Sequence, residues 1–169
     1  VTADGGFDEG SDFNNKEQLH YYLILNEIYA ALSLQKGGGN FILKVFDIFT
    51  DTSINLLYLL NIMYNEIYIY KPNTSRPTNS EKYIVCKNFR VLKNKEKILE
   101  KLKSLSKELK EKNMKYSTFT LFKEIPKEFI KKIKYTNTKL LNRQCFYLEE
   151  AIKLCKDNNF IRNYENELD

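Results

Sequence analysis

Hydrophobic and polar positions along the first 90 residues follow two different periods. Apolar residues recur every three or four positions over 16–35 and 51–64, which predicts two amphipathic helices. In the first helix the residues that recur at this spacing are Leu19, Leu23, Asn26, Ala30 and Leu34. Short apolar runs between turn-forming residues predict strands over 41–46, 66–70 and 81–89. Helices and strands therefore alternate along this part of the chain.

The order of these elements predicts half of a doubly wound α/β sheet. Residues 1–3 look like the end of a strand that begins upstream, so we expect the chain to be a piece of a longer protein. The strands over 66–70 and 81–89 have no helix between them, and we expect them to pair antiparallel at an edge of the sheet. Ligands of such sheets bind outside the carboxyl ends of the parallel strands.

The pattern changes at about residue 94. Ile98, Leu102, Leu105 and Leu109 mark a lysine-rich amphipathic helix. A patch rich in β-forming residues follows at 116–124, and two further helices are predicted over 126–134 and 138–156. We therefore expect two domains: residues 1–90 as the sheet, and residues 91–169 as a basic, mainly helical extension packed on it.

Composition excludes some classes of function. The formal net charge is +5, and residues 93–139 carry 15 basic and 6 acidic side chains, a local excess of nine positive charges. Such a segment fits a phosphate backbone, although a solvated lysine-rich face explains it equally well. The three cysteines are widely spaced, which argues against disulfides and a zinc site. No run of 18 apolar residues occurs, so we expect no membrane partner.

Three polar residues stand out because each lies at the end of a predicted strand. Asp4 lies in the segment ADGGF at 3–7, Lys44 ends the run GGNFILK at 38–44, and Glu81 lies in KPNTSRPTNSEKY at 71–83. Two acids and a lysine on neighbouring strands can form one polar site. We expect the side chains to converge outside the strand ends.

Such a site suits methyl transfer to a sugar hydroxyl, which needs in-line geometry more than bond activation. Lys44 is then the base or the group that orients the hydroxyl, provided that burial or a second lysine lowers its pKa if it acts as a base. Asp4 aligns the lysine, and Glu81 supports it from the last strand. Ser75 and Arg76 are placed to reach an RNA backbone, because an arginine fork matches phosphate oxygens.

These segments resemble a known family. Residues 1–90 are similar to the second half of the FtsJ/RrmJ-like ribose 2′-O-methyltransferase domain, in particular that of the eukaryotic enzymes that act on the mRNA cap. The similarity rests on ADGGF at 3–7, GGNFILKVFDIFT at 38–50 and KPNTSRPTNSEKYIVCKNF at 71–89. It implies a Rossmann-like methyltransferase sheet with an antiparallel last strand.

The resemblance also implies roles for particular residues. Asp4, Lys44 and Glu81 match the second, third and fourth members of the family's Lys-Asp-Lys-Glu tetrad, and Asp4 also lies near the methyl group of S-adenosylmethionine. Five residues are implied in RNA binding: Ser75, Arg76 and Asn79 in the 71–81 segment, and Asp12 and Asn14 after the first strand. The family's cofactor motif and first lysine lie upstream of Asp4, so we expect this piece alone to bind the cofactor poorly and to be inactive.

The leading hypothesis is therefore part of a nuclear mRNA cap 2′-O-methyltransferase that forms cap 1 on the first transcribed nucleotide. Its expected partners are capped mRNA, the missing N-terminal half of the same domain and the transcription machinery. Two alternatives remain open at this point. One is a ribosomal or transfer RNA 2′-O-methyltransferase, and the other is a catalytically silent RNA-binding module on the same fold.

Overall fold

A computed structural model describes residues 1–6, 15–112 and 120–156 of the chain. Within these ranges the strands are β1 (Thr2–Ala3), β2 (Phe41–Val45), β3 (Tyr64–Tyr70) and β4 (Lys82–Phe89). The helices are α1 (Lys16–Leu34), α2 (Asp51–Met63), α3 (Lys95–Glu111) and α4 (Lys127–Lys156). The predicted elements of the first 90 residues thus form, with small shifts of their ends.

The described residues form a four-stranded sheet in the order β1-β2-β4-β3. β1 and β2 are parallel, and β4 is antiparallel to both of its neighbours. The predicted antiparallel pairing of β3 with β4 is confirmed, as is an antiparallel last strand. The antiparallel strand does not form the edge, however. β3 forms the outer strand of the sheet, and the chain then returns through β4, which lies between β3 and β2. The start of β4 therefore lies next to the end of β2.

Two local contacts determine where the first helices meet the sheet. The Thr50 side chain accepts a hydrogen bond from the Ser53 amide and caps α2. Glu17, in the first turn of α1, accepts from the Thr50 amide at 2.9 Å and from the Thr50 hydroxyl at 2.7 Å. The start of α1 is therefore tied to the start of α2. Gly38 has a φ of 77°, and its amide donates to the Phe89 carbonyl, so the turn after α1 is tied to the end of β4.

The core is one hydrophobic cluster to which the sheet and all four helices contribute. The predicted stripe of α3 is confirmed in part, since Leu102, Leu105 and Leu109 are buried. The predicted helix α1 is present, but the recurring residues do not form its buried face. Leu34 is 78% exposed, and the buried residues of this helix are His20, Tyr21, Leu25, Ile28, Ala31 and Leu32. α1 packs against α3 as well as the sheet, and these two neighbours together determine which face is buried.

The extension differs from its prediction in two respects. The helices predicted over 126–134 and 138–156 form one continuous helix, α4, because no glycine or proline interrupts 127–156. Residues 120–124 of the predicted β-rich patch form no strand, and residues 116–119 lie outside the described residues. The division into domains at residue 90 stays a prediction. None of the described helices is long and apolar enough to cross a lipid bilayer.

Candidate active site

Asp4 and Lys44 meet at the end of the parallel strand pair. Ala3 lies opposite Leu43 in the register, so the next residues on each strand, Asp4 and Lys44, are neighbours. The Lys44 Nζ lies 2.7 Å from Asp4 Oδ1 and donates to the Asp4 carbonyl at 3.2 Å. The Lys44 side chain is only 15% exposed, whereas that of Asp4 is 70% exposed. The carboxylate therefore faces solvent while the ammonium is held behind it.

Glu81 joins this pair from the start of β4. Lys44 is the register partner of Tyr83, so Glu81 lies just beyond the end of β2. The hydrogen bond that Lys44 donates to the Asp4 carboxylate raises the pKa of Lys44, and the charges of Asp4 and Glu81 raise it further against the opposing effect of burial. Burial also raises the pKa of Tyr83, whose side chain hydrogen-bonds to Glu81. The predicted convergence of an acid, a lysine and a second acid is thus present in the structure.

The pKa of Lys44 is shifted in the direction opposite to that expected of a general base. A lysine that accepts a proton needs a lowered pKa, yet in this chain the neighbours of Lys44 raise it. Two carboxylates act on the ammonium, and the described residues supply no competing lysine among the causes of the shift. This arrangement favours Lys44 as a charged group that orients a hydroxyl. The residues of this chain alone do not favour the neutral form of the Lys44 amine.

The loop 71–81, which connects β3 to β4, is organised around the Lys71 ammonium. Lys71 Nζ donates to Asn79 Oδ1 at 2.7 Å, to the Glu81 carbonyl at 2.8 Å and to Ser75 Oγ at 3.3 Å. Ser75 Oγ in turn donates to Glu81 Oε1 at 3.0 Å. Burial lowers the pKa of Lys71, although Glu81 opposes that effect. The loop therefore fixes both the backbone and the carboxylate of Glu81.

The predicted RNA-binding residues fall into three groups in the structure. Ser75 and Asn79 belong to the internal hydrogen bonds of the loop 71–81. Arg76 is exposed at the outside of the same loop. Asp12 and Asn14 lie outside the described residues. RNA contact by these residues stays a prediction, and Arg76 is placed most openly for it.

Glu27 is part of the site, although no motif in the sequence points to it. It projects from the middle of α1 and accepts a hydrogen bond from the Gly5 amide at 2.9 Å. Burial raises its pKa, while the Gly5 amide and the charge of Lys44 act in the opposite direction. A single acid in a helix has no distinctive motif. Only the docking of α1 against the end of β1 reveals that a third carboxylate lies near Lys44 and Asp4.

Gly5 is required by this contact, and a matched pair of variants tests it. A Cβ on Gly5 would lie 2.5 Å from Glu27 Oε1, whereas a Cβ on Gly6 would lie 3.8 Å from its nearest neighbour, Lys44 Nζ. We expect Gly5→Ala to destabilise the protein by about 0.5–1.5 kcal/mol, because the Glu27 carboxylate must swing aside and give up the hydrogen bond from the Gly5 amide. Gly6→Ala should have a much smaller effect. Chemical denaturation measures both, and equal midpoints for the two variants would contradict the contact.

The described residues contain no group of three or more His, Cys, Asp or Glu side chains placed to hold a metal ion. The site consists instead of a lysine held by carboxylates at the carboxyl ends of β1 and β2. It can bind a hydroxyl oxygen through the ammonium and can favour a cationic reactant through the acids. This combination fits group transfer to a hydroxyl from a positively charged donor.

Comparison with known proteins agrees with this chemistry. The model of the FtsJ-like methyltransferase family matches residues 1–89. The chain is 37% identical over 93% of its length to a protein of Caenorhabditis briggsae named cap-specific mRNA (nucleoside-2′-O-)-methyltransferase 1A. It is 46% identical over 54% of its length to the human protein named cap-specific mRNA (nucleoside-2′-O-)-methyltransferase 1. It is also 35% identical over 93% of its length to a C. briggsae relative, 1B, whose name describes it as inactive.

The chain spans only a small part of these relatives: 19% of each of the two nematode proteins and 11% of the human protein. The nematode matches extend into the helical extension, whereas the family model ends with β4. The similarity thus includes relatives that are named as enzymes and one that is named as inactive.

Proposed function

Because the chain belongs to the FtsJ-like methyltransferase family, we propose that it forms part of an mRNA cap ribose 2′-O-methyltransferase that uses S-adenosylmethionine. The proposed reaction methylates the 2′-oxygen of the first transcribed nucleotide. The observation that carries the proposal is the convergence of Asp4, Lys44 and Glu81, with Lys44 Nζ 2.7 Å from Asp4 Oδ1. We also propose a nuclear location and contact with the transcription machinery, which the cap substrate makes reasonable.

The described residues fit the cofactor through charge. S-adenosylmethionine supplies, when bound, an electrophilic methyl group on a sulfonium cation. Asp4 is 70% exposed at the end of β1, and its carboxylate is a suitable partner for a cation. Glu27 and Glu81 add negative charge near the same place. In this proposal Asp4 contributes to binding the cofactor, and residues upstream of this chain contribute the rest.

Lys44 binds the ribose in this proposal. Its ammonium donates a hydrogen bond to the 2′-hydroxyl oxygen and holds a lone pair of that oxygen in line with the incoming methyl group. Asp4 and Glu81 keep the lysine in place, and Tyr83 holds Glu81. The tetrad that the family resemblance implies includes a further lysine, which is expected before Asp4. Such a neighbour would lower the pKa of Lys44 by charge repulsion, so that a neutral Lys44 would accept the hydroxyl proton as the carbon–oxygen bond forms and the carbon–sulfur bond of the donor breaks. If Lys44 stays charged, that proton passes to solvent water instead.

A methyl-transfer assay on the full-length protein tests the proposal. We expect transfer to the 2′-oxygen of the first nucleotide of capped RNA and much less to the same RNA without a cap. Equal transfer to both RNAs would instead favour a ribosomal or transfer RNA methyltransferase. RNA binding without any transfer would favour a silent RNA-binding module, a result that the relative named as inactive makes worth testing.

A further inference from the structure

Two amide side chains on α4 lie seven residues apart, which is about two helical turns, and therefore share one face of the helix. These residues are Asn137 and Gln144. α4 belongs to the extension and lies beyond residue 89, where the match to the family model ends. The face that carries the two amides nevertheless contacts two segments that adjoin the candidate active site in sequence.

Each amide donates a hydrogen bond to a backbone carbonyl far away in the sequence. Asn137 Nδ2 donates to the Ile48 carbonyl at 2.9 Å, in the segment that follows β2 and Lys44. Gln144 Nε2 donates to the Thr78 carbonyl at 3.1 Å, in the loop 71–81 that leads to Glu81. Asn137 and Ile48 are both buried, at 8% and 2% exposure. One helix face thus contacts both segments that adjoin the site.

The packing between the two amides supports the same arrangement. Leu140 and Leu141 line a small pocket together with Asp47 from the first segment and Lys71 and Asn79 from the loop. Lys71 is the residue around which the loop is organised, and it bonds to the Glu81 carbonyl. Lys71 therefore holds the loop through Ser75, Asn79 and Glu81, while Gln144 holds it at Thr78. Arg76 is exposed between these two attachments.

We propose that Asn137 and Gln144 are positioning residues for the active site. Asn137 fixes the segment after Lys44, and Gln144 fixes the loop 71–81, where Arg76 is presented to RNA. This inference rests on the proposed function for its catalytic consequence, but not for its structural content. It makes the extension a working part of the methyltransferase site.

Gln144 is the better residue to test because it is only partly buried, whereas loss of the buried Asn137 amide can affect folding. Gln144→Met in the full-length protein keeps the length of the side chain and removes the N–H donor. Gln144→Lys keeps a donor and serves as the rescue variant. Asn142→Ala is the matched control, since Asn142 is an exposed amide on the same helix.

We expect amide hydrogen exchange in the loop 71–81 to become about tenfold faster in Gln144→Met, which is the scale expected for one lost neutral hydrogen bond. Exchange in β2 and the melting temperature should be nearly unchanged. The KM for capped RNA should rise about fivefold, with kcat within about twofold, because Lys71 still holds Glu81. Gln144→Lys should recover most of both effects, and Asn142→Ala should show neither.

Unchanged exchange in the loop 71–81 of Gln144→Met would overturn the proposal. So would a loss of activity that follows a loss of thermal stability, because that result would indicate a general structural role. The exchange measurement needs no activity. If the full-length protein transfers no methyl group, the proposed function fails, while the exchange data still decide whether Gln144 holds the loop.

Discussion

Replacing Lys44 by alanine in the full-length protein should reduce methyl transfer by about 10²–10⁴-fold, the range typical of a single positioned catalytic group. Lys44 is the cation around which the site is built, since its ammonium contacts Asp4 and lies within the field of Glu81. Affinity for capped RNA should change little, because phosphate contacts dominate RNA affinity and Lys44 contributes a single hydrogen bond to the ribose. Single-turnover kinetics and RNA titration measure the two quantities separately.

Two further variants make this experiment specific. Lys87→Ala removes an exposed lysine from β4 and should leave transfer nearly unchanged. Lys44→Arg retains a positive charge that does not titrate in the working range. Partial activity in Lys44→Arg would support orientation by a cation, and complete loss would favour proton acceptance by a lysine with a lowered pKa. Full turnover in Lys44→Ala would remove Lys44 from the mechanism.

The second large effect is a dependence of stability on pH that originates at Lys82. Lys82 begins β4 and is 5% exposed. Its Nζ donates to the Phe46 carbonyl and lies 4.0 Å from Asp47 Oδ1. Burial lowers the pKa of Lys82 to about 8, although the charge of Asp47 acts in the opposite direction. The folded state therefore holds the charged form of this lysine at a cost.

The sign of the effect follows from the two pKa values. An unfolded lysine titrates near 10.5, so between about pH 8 and 10.5 the unfolded state binds more protons than the folded state. The contribution of Lys82 to the free energy of unfolding should therefore rise with pH in this window, by up to about 1.4 kcal/mol per pH unit. Below about pH 8 the lysine is charged in both states, and its contribution becomes constant.

A difference measurement isolates this contribution. Burial also raises the pKa of the Cys86 thiol to about 12, which makes stability fall as pH rises above the pKa of a free thiol. Chemical denaturation of the wild type and of Lys82→Met between pH 7 and 10 should cancel the Cys86 effect, since both proteins retain that thiol. Lys87→Met is the exposed control on the same strand. A difference between wild type and Lys82→Met that does not vary with pH would contradict the prediction.

The sequence pattern predicts where the strands and helices lie better than it predicts which face of a helix is buried. The strands and the antiparallel pairing of β3 with β4 follow from runs and turns that are short in sequence. The spacing of residues in α1 does not specify its buried face, because α3, about 80 residues further along, also packs on it, as the hydrogen bond between Ser106 and Asn26 illustrates. The division of 126–156 into two helices was wrong because no residue in that range stops a helix.

The sequence by itself determined which residues are the candidates for the chemistry. Asp4, Lys44 and Glu81 lie in short motifs at predicted strand ends, and the rule that ligands bind at such ends was enough to group them. Only the tertiary structure decided how the charges and hydrogen bonds around those three residues are arranged. The charge of Lys44, the third carboxylate from Glu27 and the attachment of α4 through Gln144 depend on distances between atoms that are 17 to 66 residues apart. Electrostatic and hydrogen-bond energies depend on those distances, and hydrophobic periodicity does not specify them.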